Sequence, residues 1–140
     1  MSFSEGSRIW VYGSAAVLCI FLSGCRNAQE YEMENLSNFR GLSGNVSVSK
    51  DNLGDTTLVI DVESVPDSLS GLGNNHFLAW AGDDNQTERL GALKRDGTDG
   101  ELIATTDLNR FRVLITRESS EDVSKPTNVP ILQSPNITVN

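Results

Sequence analysis

The stretch Thr56 to Val65 alternates strictly, with Leu58, Ile60 and Val62 on one side of an extended backbone and Thr57, Asp61 and Glu63 on the other. Successive side chains of a strand point to opposite faces, so this run buries one face and wets the other. The same period recurs in Asn45 to Lys50, where Val46 and Val48 alternate with Asn45, Ser47 and Ser49. No strong helical period competes with it. Without helices to serve as crossovers, strands of this kind are restricted to antiparallel sheets.

Turn chemistry divides the remainder. Asn52 and Gly54 mark the first turn, Pro66 ends the second strand, and Asp67 to Asn75, with Gly71 and Gly73, reads as a loop. His76 to Ala81 is a third strand carrying Phe77, Leu78 and Trp80; Glu88 to Lys94 is a fourth, after turn material at Gly82 to Thr87. Asp96-Gly97-Thr98-Asp99-Gly100 has the composition of a tight hairpin connection. Glu101 to Thr106 and Phe111 to Arg117 follow as strands, then a charged, Ser-rich loop from Glu118 to Asn128, then a last core strand at Val129 to Gln133. Seven short strands predict an all-β fold, an antiparallel two-sheet sandwich of the Ig-like, Greek-key kind, over residues 43–134. Residues 135–140 are expected as an edge strand or tail.

Ahead of this domain the composition changes. Met1 to Trp10 carries Arg8 and Glu5, and Ile9 to Leu22 is a 14-residue apolar run. That is too short to span a bilayer comfortably, since a spanning helix needs about 20 residues. A short charged start followed by an apolar run has the form of a secretory signal. The run ends in Leu22-Ser23-Gly24-Cys25, which resembles the lipobox of bacterial lipoproteins at every position. A cysteine is obligatory there because its thiolate can be alkylated by a diacylglyceryl donor. The amine freed by cleavage can then be acylated. The resemblance implies a signal peptide with an apolar helix at 1–24, a lipidated Cys25, and a flexible tether over residues 25–42. Two or more acyl chains anchor stably without crossing the membrane. The expected location is the extracytoplasmic surface of the cell membrane or outer membrane, and Arg26 in place of an Asp leans towards the outer membrane where there are two.

Without residues 1–24 the chain keeps 18 acids and 10 bases, a charge of −8. Such a balance argues against nucleic acid, which demands basic clusters, and against an electrostatic hold on anionic lipid. Cys19 leaves with the signal and Cys25 carries lipid, so no disulfide and no thiolate zinc site is expected. Covalent diacylglycerol and an N-acyl chain on Cys25 are the only attached groups anticipated, with no other cofactor.

Leu53 to about Ser134 resembles the extracytoplasmic C-terminal domain of anti-sigma-K factors. The matching pieces are Phe77-Leu78-Ala79-Trp80, then Leu90-Gly91-Ala92-Leu93, the Asp99-Gly100 turn, Thr116-Arg117-Glu118, Pro126 and the closing strand Val129 to Leu132. That resemblance implies a β-sandwich module. It does not imply sigma-factor binding: the family's cytosolic helical domain and transmembrane helix are replaced here by a lipobox. Its Gly- and Pro-rich loop is replaced by Glu118-Ser119-Ser120-Glu121-Asp122-Val123-Ser124-Lys125.

No catalytic constellation emerges. His76 is the sole histidine and has neither a Gly-x-Ser-x-Gly elbow nor a cysteine nucleophile to serve. Asp83, Asp84, Asp96 and Asp99 are candidate Ca²⁺ ligands, but they lack the EF-hand order, and Asp-Gly pairs serve hairpins first. Phe77, Trp80 and Phe111 read as core. The function expected from these residues is a non-catalytic, membrane-tethered interaction or sensor module with membrane lipid and an envelope protein as partners. Binding of a small ligand, glycan or Ca²⁺ is the alternative. The contact surface expected on this reading is the loop set with Asp67 to Asn75 and Glu118 to Asn128.

Overall fold

Eleven strands form among the residues that the computed structural model describes, which are 28–65, 76–83 and 85–140. The expected signal peptide with its apolar helix, Leu22, Ser23, Gly24, Cys25, the expected loop Asp67 to Asn75 and Asp84 lie outside them. In chain order the strands are β1 (Gln29–Glu32), β2 (Glu34–Asn35), β3 (Ser43–Lys50), β4 (Thr56–Glu63), β5 (His76–Gly82) and β6 (Thr87–Ala92). Then come β7 (Lys94–Asp96), β8 (Asp99–Thr106), β9 (Arg110–Glu118), β10 (Leu132–Gln133) and β11 (Ile137–Thr138). All ladders are antiparallel. One sheet runs β1-β3-β4-β8-β7; the other runs β2-β10-β9-β5-β6, with β11 also on β9. The described residues form an all-β, two-sheet sandwich. Its central pairs, β4 with β8 and β5 with β9, join strands distant in sequence, as in a Greek key.

The core follows from the period of two. Val46, Val48, Leu58, Ile60 and Val62 point inward from the first sheet and meet Phe77, Ala79, Ala81, Phe111, Val113 and Ile115 from the second. Side chains of two inner faces that interdigitate in this way supply most of a sandwich's stability. Val65 closes one end, where its N–H donates to the Thr98 carbonyl at 2.8 Å. The Arg95 guanidinium caps the same end, 5.5 Å from the centre of the Phe77 ring.

Three segments depart from the expectations. The expected tether supplies β1 and β2, one strand to each sheet: Tyr31 and Met33 turn inward while Glu30, Glu32 and Glu34 stay in water. The single strand expected at Glu88 to Lys94 is two. Leu90 is an extra residue between Arg89, paired with Trp80, and Gly91, paired with Ala79. This bulge bends the strand so that it leaves the second sheet and pairs with β8 in the first, as bulges re-aim strands elsewhere. The last core strand shrinks to Leu132–Gln133, because Pro130 cannot donate to a ladder; β11 extends pairing into the expected tail.

Register defines two ends. Gln29 pairs with Val48, so the chain enters the sandwich beside the end of β3. The turns 51–55 and 107–109, the residue Asp83 after β5, and the C-terminus share that end, since Lys50 pairs with Thr56, Thr56 with Thr106, and Ile137 with Phe111. His76 and Glu118, which pair with each other, mark the opposite end. Among the described residues no helix is long and apolar enough to cross a membrane.

Candidate functional site

The far end, opposite chain entry, gathers the groups with the most unusual environment. On β5 the side chains of Phe77, Ala79 and Ala81 face the core, so Leu78 and Trp80 face outward. Both are nevertheless fully buried, as are Thr116 and Glu118 on the same outer face of β9. Residues 119–131, which follow β9, are fastened across that face. Glu118 accepts hydrogen bonds from the backbone N–H of Thr127 at 3.2 Å and from its hydroxyl. The Arg89 guanidinium donates to the Glu121 carbonyl, and the Asn128 amide to the Arg117 carbonyl. His76 Nδ1 stands 3.6 Å from the Glu121 carboxylate. Trp80 Nε1 donates to Thr116 Oγ1 at 2.8 Å, and the Thr116 hydroxyl donates in turn to Glu118. Burial pushes the Glu118 carboxyl up, but the hydrogen bonds from Thr127, Thr116 and Asn128 outweigh it and hold the group below its ordinary value.

A polar chain thus runs from a buried indole through a hydroxyl to a buried carboxylate and out to a loop. No buried side-chain polar atom among the described residues lacks a partner. The arrangement fixes the loop's shape. His76, part-exposed, has a carboxylate as its neighbour and no hydroxyl hydrogen-bonded to it among the described residues.

Of the candidate cation ligands, Asp83 does not converge with Asp96 and Asp99. Asp83 follows the last residue of β5 at the entry end, where its carboxylate accepts the Asn85 and Gln86 N–H groups at 2.7 and 2.8 Å. Those bonds lower its pKa. Asp96 and Asp99 flank the β7–β8 turn beside Thr98, whose carbonyl takes the Val65 N–H at the far end. The two sets lie at opposite ends of the sandwich. Among the described residues no three His, Cys, Asp or Glu side chains are grouped to hold a metal. Asp84, the fourth candidate, lies outside the described residues, as do Leu22, Ser23, Gly24 and Cys25.

The outer face of the first sheet is acidic. Cross-strand neighbours Glu32, Asn45, Asp61, Glu101 and Lys94 form one row across five strands. Asp61 sits directly opposite Glu101; burial first, then the hydrogen bond and repulsion of Glu101, raise its pKa. Beside this row an open cleft of about 530 Å³ lies along the edge of β8, with Leu102, Ile103 and Ala92 in its wall. Another, of about 290 Å³, lies at the entry end between Arg112, Gln133 and Thr87. Lys94, Arg95, Asp96 and Glu101 also line the first, and Asp83, Arg110 and Asn136 the second.

The sequence reading missed the Trp80–Thr116–Glu118–Thr127 chain. Its one visible signal was Glu118, a carboxylate ending an otherwise alternating strand. No protein family, no curated protein and no solved structure matches the chain.

Proposed function

We propose that the chain is an exported lipoprotein, held on a membrane by an acylated Cys25, whose β-sandwich is a non-catalytic interaction or sensor module. The observation that carries this reading is the position of Leu22-Ser23-Gly24-Cys25, at the end of a 14-residue apolar run and four positions before Gln29, the first strand residue of an all-β domain. A thiol so placed supports lipid attachment immediately outside the folded body. The sandwich geometry agrees with the role: an anchor at one end leaves the other free to meet a partner. That far end carries His76, Glu121 and the braced segment 119–131, and it receives both flanks of the loop Asp67 to Asn75. Loops held on a rigid scaffold are the usual carriers of recognition. The resemblance to the anti-sigma-K C-terminal domain supports an extracytoplasmic sensor or accessory subunit acting on an envelope protein.

The test has two parts. Cys25→Ser is expected to abolish labelling by a fatty-acid analogue and to accumulate uncleaved precursor; normal processing would overturn the assignment. Crosslinking in intact membranes, from a photoreactive residue at Glu121, is expected to yield one recurrent protein adduct. Repeated absence of any specific adduct there, with adducts formed from an entry-end position instead, would move the contact surface off the far end.

A further inference from the structure

We propose that Leu53 is a lipid contact: with the chain tethered through Cys25, the entry end of the sandwich rests on the bilayer and Leu53 inserts at the boundary between headgroups and acyl chains. This rests on the lipoprotein reading and adds an orientation to it.

Leu53 is 88% exposed at the tip of the β3–β4 hairpin, the most exposed of the large apolar side chains at the described surface, ahead of Val129, Ile103 and Leu36. A single exposed leucine is ordinary. Its setting is not. The Asp51 carboxylate accepts the N–H groups of Leu53 and Asp55 at 2.8 and 2.9 Å, and the Gly54 N–H donates to the Asp51 carbonyl at 3.2 Å. Gly54 has φ +86°, which leucine itself would adopt only under strain. The turn is therefore preset, with its apolar side chain projecting beyond the strands.

The tip also stands at the end where the anchor must be. Gln29 pairs with Val48, and β3 runs only to Lys50 before the turn. From Cys25 to Gln29 there are four Cα steps, a reach of at most about 14 Å. Lipid on Cys25 brings this end of the body within a few residues' length of the membrane, whichever way the connection runs. Local concentration near the bilayer is then high, so a contact too weak to bind alone suffices to set orientation. Charge does not assist: Asp51, Asp55, Asp83 and Asp107 at this end outnumber Lys50, Arg110 and Arg112. The contact is apolar and suits neutral lipid. The other exposed apolar side chains lie elsewhere, Ile103 on the acidic sheet face and Val129 beside Asn128, whose amide reaches the far end of β9.

The experiment compares two positions in the full-length, membrane-purified protein. Leu53→Cys and Val129→Cys, both largely exposed and so tolerant of change, are labelled with an environment-sensitive thiol dye and reconstituted into phosphatidylcholine vesicles. Acylation is read by intact mass and vesicle binding by flotation. The dye at position 53 is expected to shift to the blue, to be quenched by brominated acyl chains, and to lose accessibility to an aqueous quencher several-fold. The dye at 129 is expected to stay in water. Adding phosphatidylglycerol is expected to weaken the shift. Acylated protein that floats with vesicles while position 53 stays as wet as 129 overturns the contact and leaves the lipoprotein reading standing. Protein without acyl chains overturns both. Protection of position 53 in native membranes but not in protein-free vesicles assigns the tip to a protein partner and likewise overturns the lipid contact.

Discussion

Trp80 Nε1 donates to Thr116 Oγ1 at 2.8 Å across the β5–β9 pair, on the side of that sheet turned away from the sandwich core. The outer face of a sandwich ordinarily meets water. Here it buries its largest side chain, and the hydrogen bonds of Thr116 and Glu118 continue to Thr127 on the segment that crosses it. A segment of little regular structure is thereby made part of the folded body, with consequences that solution measurements can read.

Glu118→Gln keeps the volume and removes the charge that Thr127 and Thr116 serve. Losing charge-assisted bonds at a buried site is expected to cost about 1–3 kcal/mol. Urea unfolding of a chain starting at residue 25 checks this, and Trp80 is then its sole tryptophan, because Trp10 precedes that start. Wild-type emission is expected at short wavelength and shielded from acrylamide, with Glu118→Gln and Thr127→Val raising quenching before global unfolding. An unchanged urea midpoint and unchanged quenching would contradict the role assigned to this network.

Acid should act through the same carboxylate. The folded pKa of Glu118 is depressed, so its contribution is present above the unfolded pKa and is lost as pH falls through the folded one. Wild-type stability is expected to fall more steeply than that of Glu118→Gln as pH drops below the ordinary glutamate range. Parallel acid limbs would refute the linkage.

Asp61 works in the opposite sense. Its folded pKa is raised by burial and by Glu101 across the ladder, so its penalty is fully present at neutral pH and relieved as pH falls through the folded value. Asp61→Asn is expected to stabilise the domain at pH 7 by about 0.2–1 kcal/mol, the scale of a like-charge cross-strand pair, with the gain shrinking in acid and in high salt. A destabilised variant at neutral pH would show that the pair does something other than repel.

Gly91 holds the strand that changes sheets. It has φ +149°, and a methyl group there would stand 3.2 Å from Leu102 Cδ1. Gly91→Ala is expected to destabilise by about 1–3 kcal/mol through backbone strain and crowding. Thermal melts against Gly97→Ala give the control, since Gly97 has φ +65° but nothing within 4 Å of a built Cβ. Equal losses would assign the whole effect to φ and none to Leu102.

Alternation made β3, β4 and β8 legible, because each buries one face and wets the other, and β9 as far as Ile115, beyond which Thr116 and Glu118 are buried on its outer face. The run Phe77-Leu78-Ala79-Trp80 could not be parsed that way: both of its faces are buried, one by the core and one beneath residues 119–131, and an apolar run does not say which side is which. Glu30, Glu32 and Glu34 alternate with Tyr31 and Met33, yet strands so short and so acidic read as a tether until their partners β3 and β10 are seen. The split between β6 and β7 depends on one extra residue, Leu90, which the linear pattern does not distinguish from a strand residue. Asp83 and Asp96 are 13 positions apart in sequence and looked like neighbours; the course of β6 and β7 carries them to opposite ends.

Intact-mass analysis of the protein purified from its native membranes tests the central claim most directly. A chain beginning at Cys25 with diacylglycerol and a further acyl group attached is the expected result. A chain still carrying Met1 to Gly24, with no fatty acid bound, would contradict it.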